Sequence, residues 1–369
     1  MPATHSQRLE RWIGAGRAEA LSASMRGWYG PPLALLDVPG VRVHGDGDFS
    51  GRFDRGYFAS ALDALAELWR RWCHDVRFRP GTLPTGFASI SDAIQKLSGG
   101  KRVYFGGGNL QKVGTTGVVA ASNSLFRVGN QPVAGAAAAA APGGTVPTSA
   151  TTGALGFANP GGADTTHLIG ADLAASIANN SLLLYDRIFA VAKTMNSTAT
   201  EAVTGVPSRY QSTTAGAADY VGGNFLFVEC GTVLSAGAHN WTVCTYKDQD
   251  NNDSTLPSVT GNASNIVNRL DMPISQWFAP LESGDVGIKA LTQMQCSAAV
   301  ATGAIDFVIG HPIGVMAIPI ANLITPFDWL TNRDLCPRIF NDACLALLEI
   351  CKSATTATTY SGFIYGGQG

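Results

Sequence analysis

Charge is what this sequence has least of. Asp, Glu, Lys and Arg make up 14% of its 369 residues, against about a quarter in an ordinary soluble domain. The two signs nearly balance, 25 basic against 27 acidic, so no basic excess marks a direct nucleic-acid partner. Apolar runs are short as well. The segment 314-GVMAIPIANLI-324 is interrupted by Pro319 and falls well below the ~18 residues of a membrane helix, so no membrane partner is expected. The N-terminal MPATHSQRLERWIGAGRAEA lacks the apolar stretch of a signal peptide. The seven cysteines form no CxxC pair and sit among apolar neighbours (TVCTY, DACLALLEICK). They read as reduced core thiols, not as a disulfide framework. A chain this poor in charge solvates its own surface weakly, which suits a surface covered by neighbours.

Patterns that carry chemistry are also missing. There is no GxSxG elbow and no HxH or HxxxH pair among His5, His44, His74, His167, His239 and His311. In LSGGKRVYFGGGN, Gln95 stands where a phosphate loop needs its first glycine, and Arg102 follows Lys101. A turn between a helix and a strand is expected there. The loop 247-KDQDNNDS-254 gathers oxygen ligands, but Asp253 replaces the glycine of a calcium loop and Val259 its last acid. It reads as a polar hairpin. Glu282, Asp285, Asp306 and His311 are candidates for acid–base work, but their spacing does not pair them, and His311 in VIGHPIG reads as structural. No enzyme activity, cofactor or metal is expected.

What the chain does have is small residues and long uncharged stretches. From Val128 to Ala163 there is no charged side chain, and Ala136 to Ala141 are six consecutive alanines ended by Pro142-Gly143-Gly144. Six residues are too few to hold a helix in water, so 128–163 is expected to be a long extended loop. Loops of this length are functional or disordered, and disorder usually carries more polarity than this. Residues 1–90 are arginine-rich and read as a helical arm, with helices near 6–23 and 55–74. Phe58, Leu62, Leu65, Trp69 and Trp72 share one face of the second. A short helix is expected at 90–97. Residues 91–369 then read as mainly β, a jelly-roll-like sandwich with helices added at about 165–195 (Leu173, Ile177, Leu184, Ile188, Val191) and about 336–352 (Ile339, Ala343, Leu347, Ile350).

Three stretches, LLLYDRIFAVAKTMNSTATEAVTGVPSRY (182–210), NWTVCTYKDQDNN (240–252) and QWFAPLESGDVGIKALTQMQCSAAVATGAIDFVIGHPIG (276–314), resemble structural proteins of tailed-bacteriophage particles. The resemblance covers about half the chain and leaves out the first ninety residues. It implies a virion component. A decoration or cement protein is the reading taken, partnered by the major capsid protein and by copies of itself in a trimer or other symmetric oligomer. Expected contact residues are Trp69 and Trp72 on the arm, Phe126 and Arg127 beside the loop, and the strap from Ala136 to Ala141. Two alternatives stand beside it. One is a neck or tail protein. The other is a host-surface glycan-binding module that would expose Trp241, Trp277 and Tyr246.

Overall fold

The computed structural model describes residues 41–43, 49–51, 86–242, 244–330 and 336–369. The chain divides into two compact units, Met1–Leu83 and Pro84–Gly369. In the first, Val41–Val43 pairs antiparallel with Phe49–Gly51. Trp69, Trp72 and the helices expected at 6–23 and 55–74 lie outside the described residues.

The second unit begins with the expected short helix, α1 (Ile90–Lys96), capped by the Ser89 side chain. After it the unit is mainly β, as expected. Nine strands carry the architecture: β1 (Leu110–Val113), β2 (Thr166–Ala175), β3 (Asn180–Thr194), β4 (Phe225–Thr232), β5 (Thr245–Asp248), β6 (Ile288–Met294), β7 (Ala304–Ile318), β8 (Leu345–Ile350) and β9 (Thr359–Gln368). The central sheet runs β4-β7-β3-β8, with Asn123–Ser124 at its edge. A second sheet runs Thr325–Asp328, β2, β9, β1 and Asn130–Gln131. A third joins Asp253–Thr255, β5, β6 and Glu201–Ala202. The pairings within these sheets are antiparallel.

The central sheet is buried on both faces. Leu182 and Leu184 of β3 join Leu345 and Leu347 of β8, Leu173 of β2 and Ile364 of β9 in one core. The alternating Leu183, Tyr185, Ala346 and Leu348 join Tyr246, Ile288 and Leu291 in the other. Side chains of a strand alternate between faces, so the sandwich has a sheet on each side of β3 and β8.

This arrangement corrects two expectations. Residues 165–195 are not a helix but the antiparallel strands β2 and β3, turning at Asn179 (φ 57°). Residues 336–352 are not a helix either. Arg338–Ile339 pairs with β2, Asp342 turns with φ 60°, and β8 enters the central sheet. A strand covered on both faces needs no polar residue at every second position, and its apolar run then also satisfies a helical period.

Candidate functional site

The uncharged loop is ordered, and it lies on its own chain. β8 pairs with β3 only over residues 181–186. The rest of that edge of β3 is taken by the loop. Thr145 N–H donates to Ala190 O (2.7 Å) and Ala190 N–H to Thr145 O (2.9 Å). Ala192 N–H donates to Ala139 O at 3.0 Å, and Thr204 N–H to Pro142 O at 2.7 Å. Through Ala139 and Thr145 the loop therefore supplies backbone partners to an edge of β3 that would otherwise be open, the other edge being paired with β7. Close approach also requires the glycines. A Cβ on Gly135 would stand 2.3 Å from the Phe126 ring, and one on Gly144 (φ 65°) 2.5 Å from Phe189. The side chains of Ala136, Ala137, Ala139 and Ala140 remain exposed, while Ala138 and Ala141 pack against the core.

A buried ionic cluster sits beneath the loop. Arg187 of β3 forks onto Glu229 of β4 (3.1 and 2.7 Å) and comes within 3.7 Å of Asp306 of β7. Register places Glu229 directly opposite Asp306. Arg127 Nη1 and the Ala138 backbone N–H both donate to Asp306 Oδ2 at 3.3 Å, and the Arg187 guanidinium lies 4.4 Å from the Phe126 ring centre. Burial pushes Glu229 up, but the Arg187 charge and its hydrogen bonds outweigh that and hold it below its ordinary value. Burial, then the facing Glu229, pushes Asp306 up to about 6. Phe126 and Arg127, expected at a contact with a neighbour, are thus turned inward. Phe126 is buried, and only 14% of the Arg127 side chain is exposed. Together with Ala138 they anchor the loop to its own sheet.

Two histidines are fixed in opposite states. His311 stacks on Tyr210 (3.8 Å, 7° between planes). Asn224 donates through Nδ2 to the carbonyls of Tyr210 and Ile288, so its Oδ1 must accept from His311 Nδ1–H (2.8 Å). Burial lowers the His311 pKa to about 4, leaving the ring neutral as the Nδ1–H tautomer. His239 has an acceptor at each nitrogen, Gly237 O at 3.0 Å and Asp271 Oδ2 at 2.8 Å. Asp271 also accepts from Trp241 Nε1, Asn262 N and Asn265 Nδ2. Burial works against the His239 charge, but its bonds to Asp271 and Gly237 outweigh that and raise its pKa.

The sign for stability follows from these directions. His239 contributes stability that is fully present below about pH 6.5 and is lost as pH rises through its folded value. His311 contributes stability present above about pH 6.5 that is lost as pH falls toward its folded value near 4. An NMR titration of the imidazole nitrogens is expected to show His311 neutral down to about pH 4 and His239 still protonated above pH 6.5. Both rings titrating together near pH 6.5 would contradict this placement.

The candidate acids are not brought together. Glu282 accepts from Thr255 N–H, Asp285 accepts from the Tyr246 hydroxyl, and Asp306 belongs to the Arg187 cluster. In the polar hairpin at 247–254, Asp248 accepts from the backbone N–H groups of Asp250 and Asn252. Among the described residues no three His, Cys, Asp or Glu side chains are grouped to hold a metal ion. Among the described residues six cysteines are free thiols, five of them buried. Trp241 and Tyr246, expected in an exposed groove under the glycan-module alternative, are buried in the core.

Two concave features of the described residues bear on binding. One is a cavity of about 350 Å³ bordered by Phe225, Trp277, Phe278 and Asp285. The other is a groove of about 270 Å³ on the outer face of the second sheet, lined by Arg102, Tyr104, Asp172, Phe363 and Tyr365. Leu97 and Phe87 pack on one end of that face, at Gly367. Farther along it Tyr104 and Phe363 are 43% and 46% exposed, with ring centres 6.1 Å apart, and the Arg102 guanidinium lies 5.4 Å from the Tyr365 ring centre. The groove went unseen in the sequence because its residues come from three separated segments. The only signal was the aromatic alternation in 360-YSGFIY-365. No protein-family model matches this chain, and no curated protein matches it.

Proposed function

We propose that this protein is a structural component of a tailed-phage particle, a decoration or cement protein that holds neighbouring shell subunits through the outer face of its second sheet. The observation that carries this is the pair of exposed aromatic rings, Tyr104 and Phe363, on a sheet whose other face is fully packed. Aromatics flanked by Arg are enriched where proteins bind one another, and a half-exposed pair on a charge-poor surface is poorly placed in water. The loop that sequence alone would lay on a neighbour is used inside its own chain, so it does not carry this reading. The strap then offers only its exposed alanine methyls to a partner. Of the two alternatives, the glycan-binding module loses Trp241 and Tyr246 to the core and keeps Trp277, which is partly buried at the cavity wall. A neck or tail protein would use the same face and is separated by copy number.

The test is Tyr104→Ser with Phe363→Ser. Both side chains are partly exposed, so the melting temperature should stay close to that of the parent. Incorporation into particles, or self-association of the purified protein, should fall at least about tenfold, the equivalent of roughly 1.4 kcal/mol. Unchanged incorporation with unchanged stability would remove this face from the proposal.

A further inference from the structure

The cavity beside Trp277 has a chemistry that the structural role does not use. Its size lies within the range of small-molecule sites. Phe225, Trp277 and Phe278 form a run of edge-on aromatic contacts at 5.2 and 4.6 Å between ring centres, and Leu281 and Pro312 complete the apolar wall. Asp285 is the one ionisable side chain among the described residues lining it. Its Oδ2 accepts from the Tyr246 hydroxyl at 2.5 Å, and its Oδ1 has no partner among the described residues.

The other polar groups along the walls are occupied. Asn224 spends its amide on the carbonyls of Tyr210 and Ile288 and its oxygen on His311. The backbone N–H groups of Gly223, Asn224, Ala279 and Asp285 donate to carbonyls, and that of Val286 to Gln249 Oε1. A sugar or other polyol needs several free donors and acceptors and would find few here. An anion would meet the Asp285 carboxylate with no basic side chain to offset it. A cation with an apolar surface meets both features the walls offer, aromatic rings and a single carboxylate oxygen.

We propose that this cavity binds an organic ammonium group, with Trp277, Phe278 and Phe225 packed around its carbons and Asp285 as its counter-charge. The group has two possible sources, a small quaternary amine or the lysine side chain of a protein. Both present a cationic nitrogen flanked by hydrocarbon; they differ in N–H donors, of which the quaternary amine has none, and are told apart by the probe.

The experiment is a calorimetric or NMR titration of the full chain with choline, with 3,3-dimethylbutan-1-ol (the uncharged carbon counterpart of choline) and with Nα-acetyl-lysine amide. Choline or the lysine amide should bind saturably, and the uncharged alcohol at least about tenfold more weakly. Saturable choline with a silent lysine amide assigns a quaternary amine; the reverse assigns a lysine side chain. Asp285→Asn keeps an acceptor for the Tyr246 hydroxyl and should weaken the bound cation about tenfold. Equal binding of the alcohol would overturn the proposal, and so would no saturable binding of either cation. The comparison of probes on the unmodified protein stands even if a variant fails to fold. Its outcome is independent of whether the protein is found in particles.

Discussion

Glu229→Ala is expected to destabilise the protein by about 3–5 kcal/mol, the cost of leaving a buried charge without its partner. Arg187 is 2% exposed and directs both terminal nitrogens at Glu229. Truncating the glutamate leaves the guanidinium with the Phe126 ring and, as its one remaining carboxylate among the described residues, Asp306, 3.7 Å away and already shared with Arg127 and the Ala138 N–H. Both Glu229 and Arg187 are buried, so little solvent is at hand to compensate. Arg127→Met provides the contrast. It removes one of the three groups around Asp306, which keeps Arg187 and the Ala138 N–H, so the loss should be smaller, about 1–2 kcal/mol. Chemical denaturation of the two variants reads the difference directly. Equal, small losses would mean that the cluster is solvated in the folded protein.

Phe189→Ala should cost a similar amount, about 3–5 kcal/mol, for a different reason. The ring is fully buried, and it is also the surface on which the loop rests. Cβ atoms built on Gly144 and Gly205 would stand 2.5 and 2.6 Å from it. Its removal should therefore both open a void in the core and release the segment from Ala139 to Thr145 from β3. The segment contains no Lys or Arg, so trypsin is blind to it, whereas elastase cuts after small residues and should cleave it rapidly in the variant. Phe307→Ala is the control, a buried ring on β7 that packs on Trp241. It should lose comparable stability while the loop stays protected. Protection of the loop in both variants would mean that Phe189 does not hold it down.

What was legible in the sequence follows the same physics. The mainly β character of the second unit, α1 and the polar hairpin at Asp248 depend on local turn and cap chemistry, which a short window contains. The Asn179-Asn180 pair interrupts the apolar run of 165–195. A short window does not show it as a reversal between β2 and β3, because both strands are largely buried and lack the alternation that identifies a strand. Leu345 to Ile350 misled for the same reason. The loop was read correctly as extended but assigned to the wrong surface. Nothing local shows that β8 begins only at residue 345, opposite Asp186, and leaves the edge of β3 at Ala190 and Ala192 open. Phe126 and Arg127 were singled out beside the loop, and the structure makes them its anchors. The partners that define this role, Arg187 and Asp306, are about 60 and 179 residues away from Arg127 in the chain. The groove at Tyr104 and Phe363 depends on pairing of equally long range.

The central claim is that the protein belongs to an assembled particle. The most direct test is quantitative mass spectrometry of particles purified from the source of this sequence, with copy number set against the major shell protein. The account predicts a stoichiometry comparable to that of the shell protein. A handful of copies would move the protein to the neck or tail. Absence from purified particles would contradict the account.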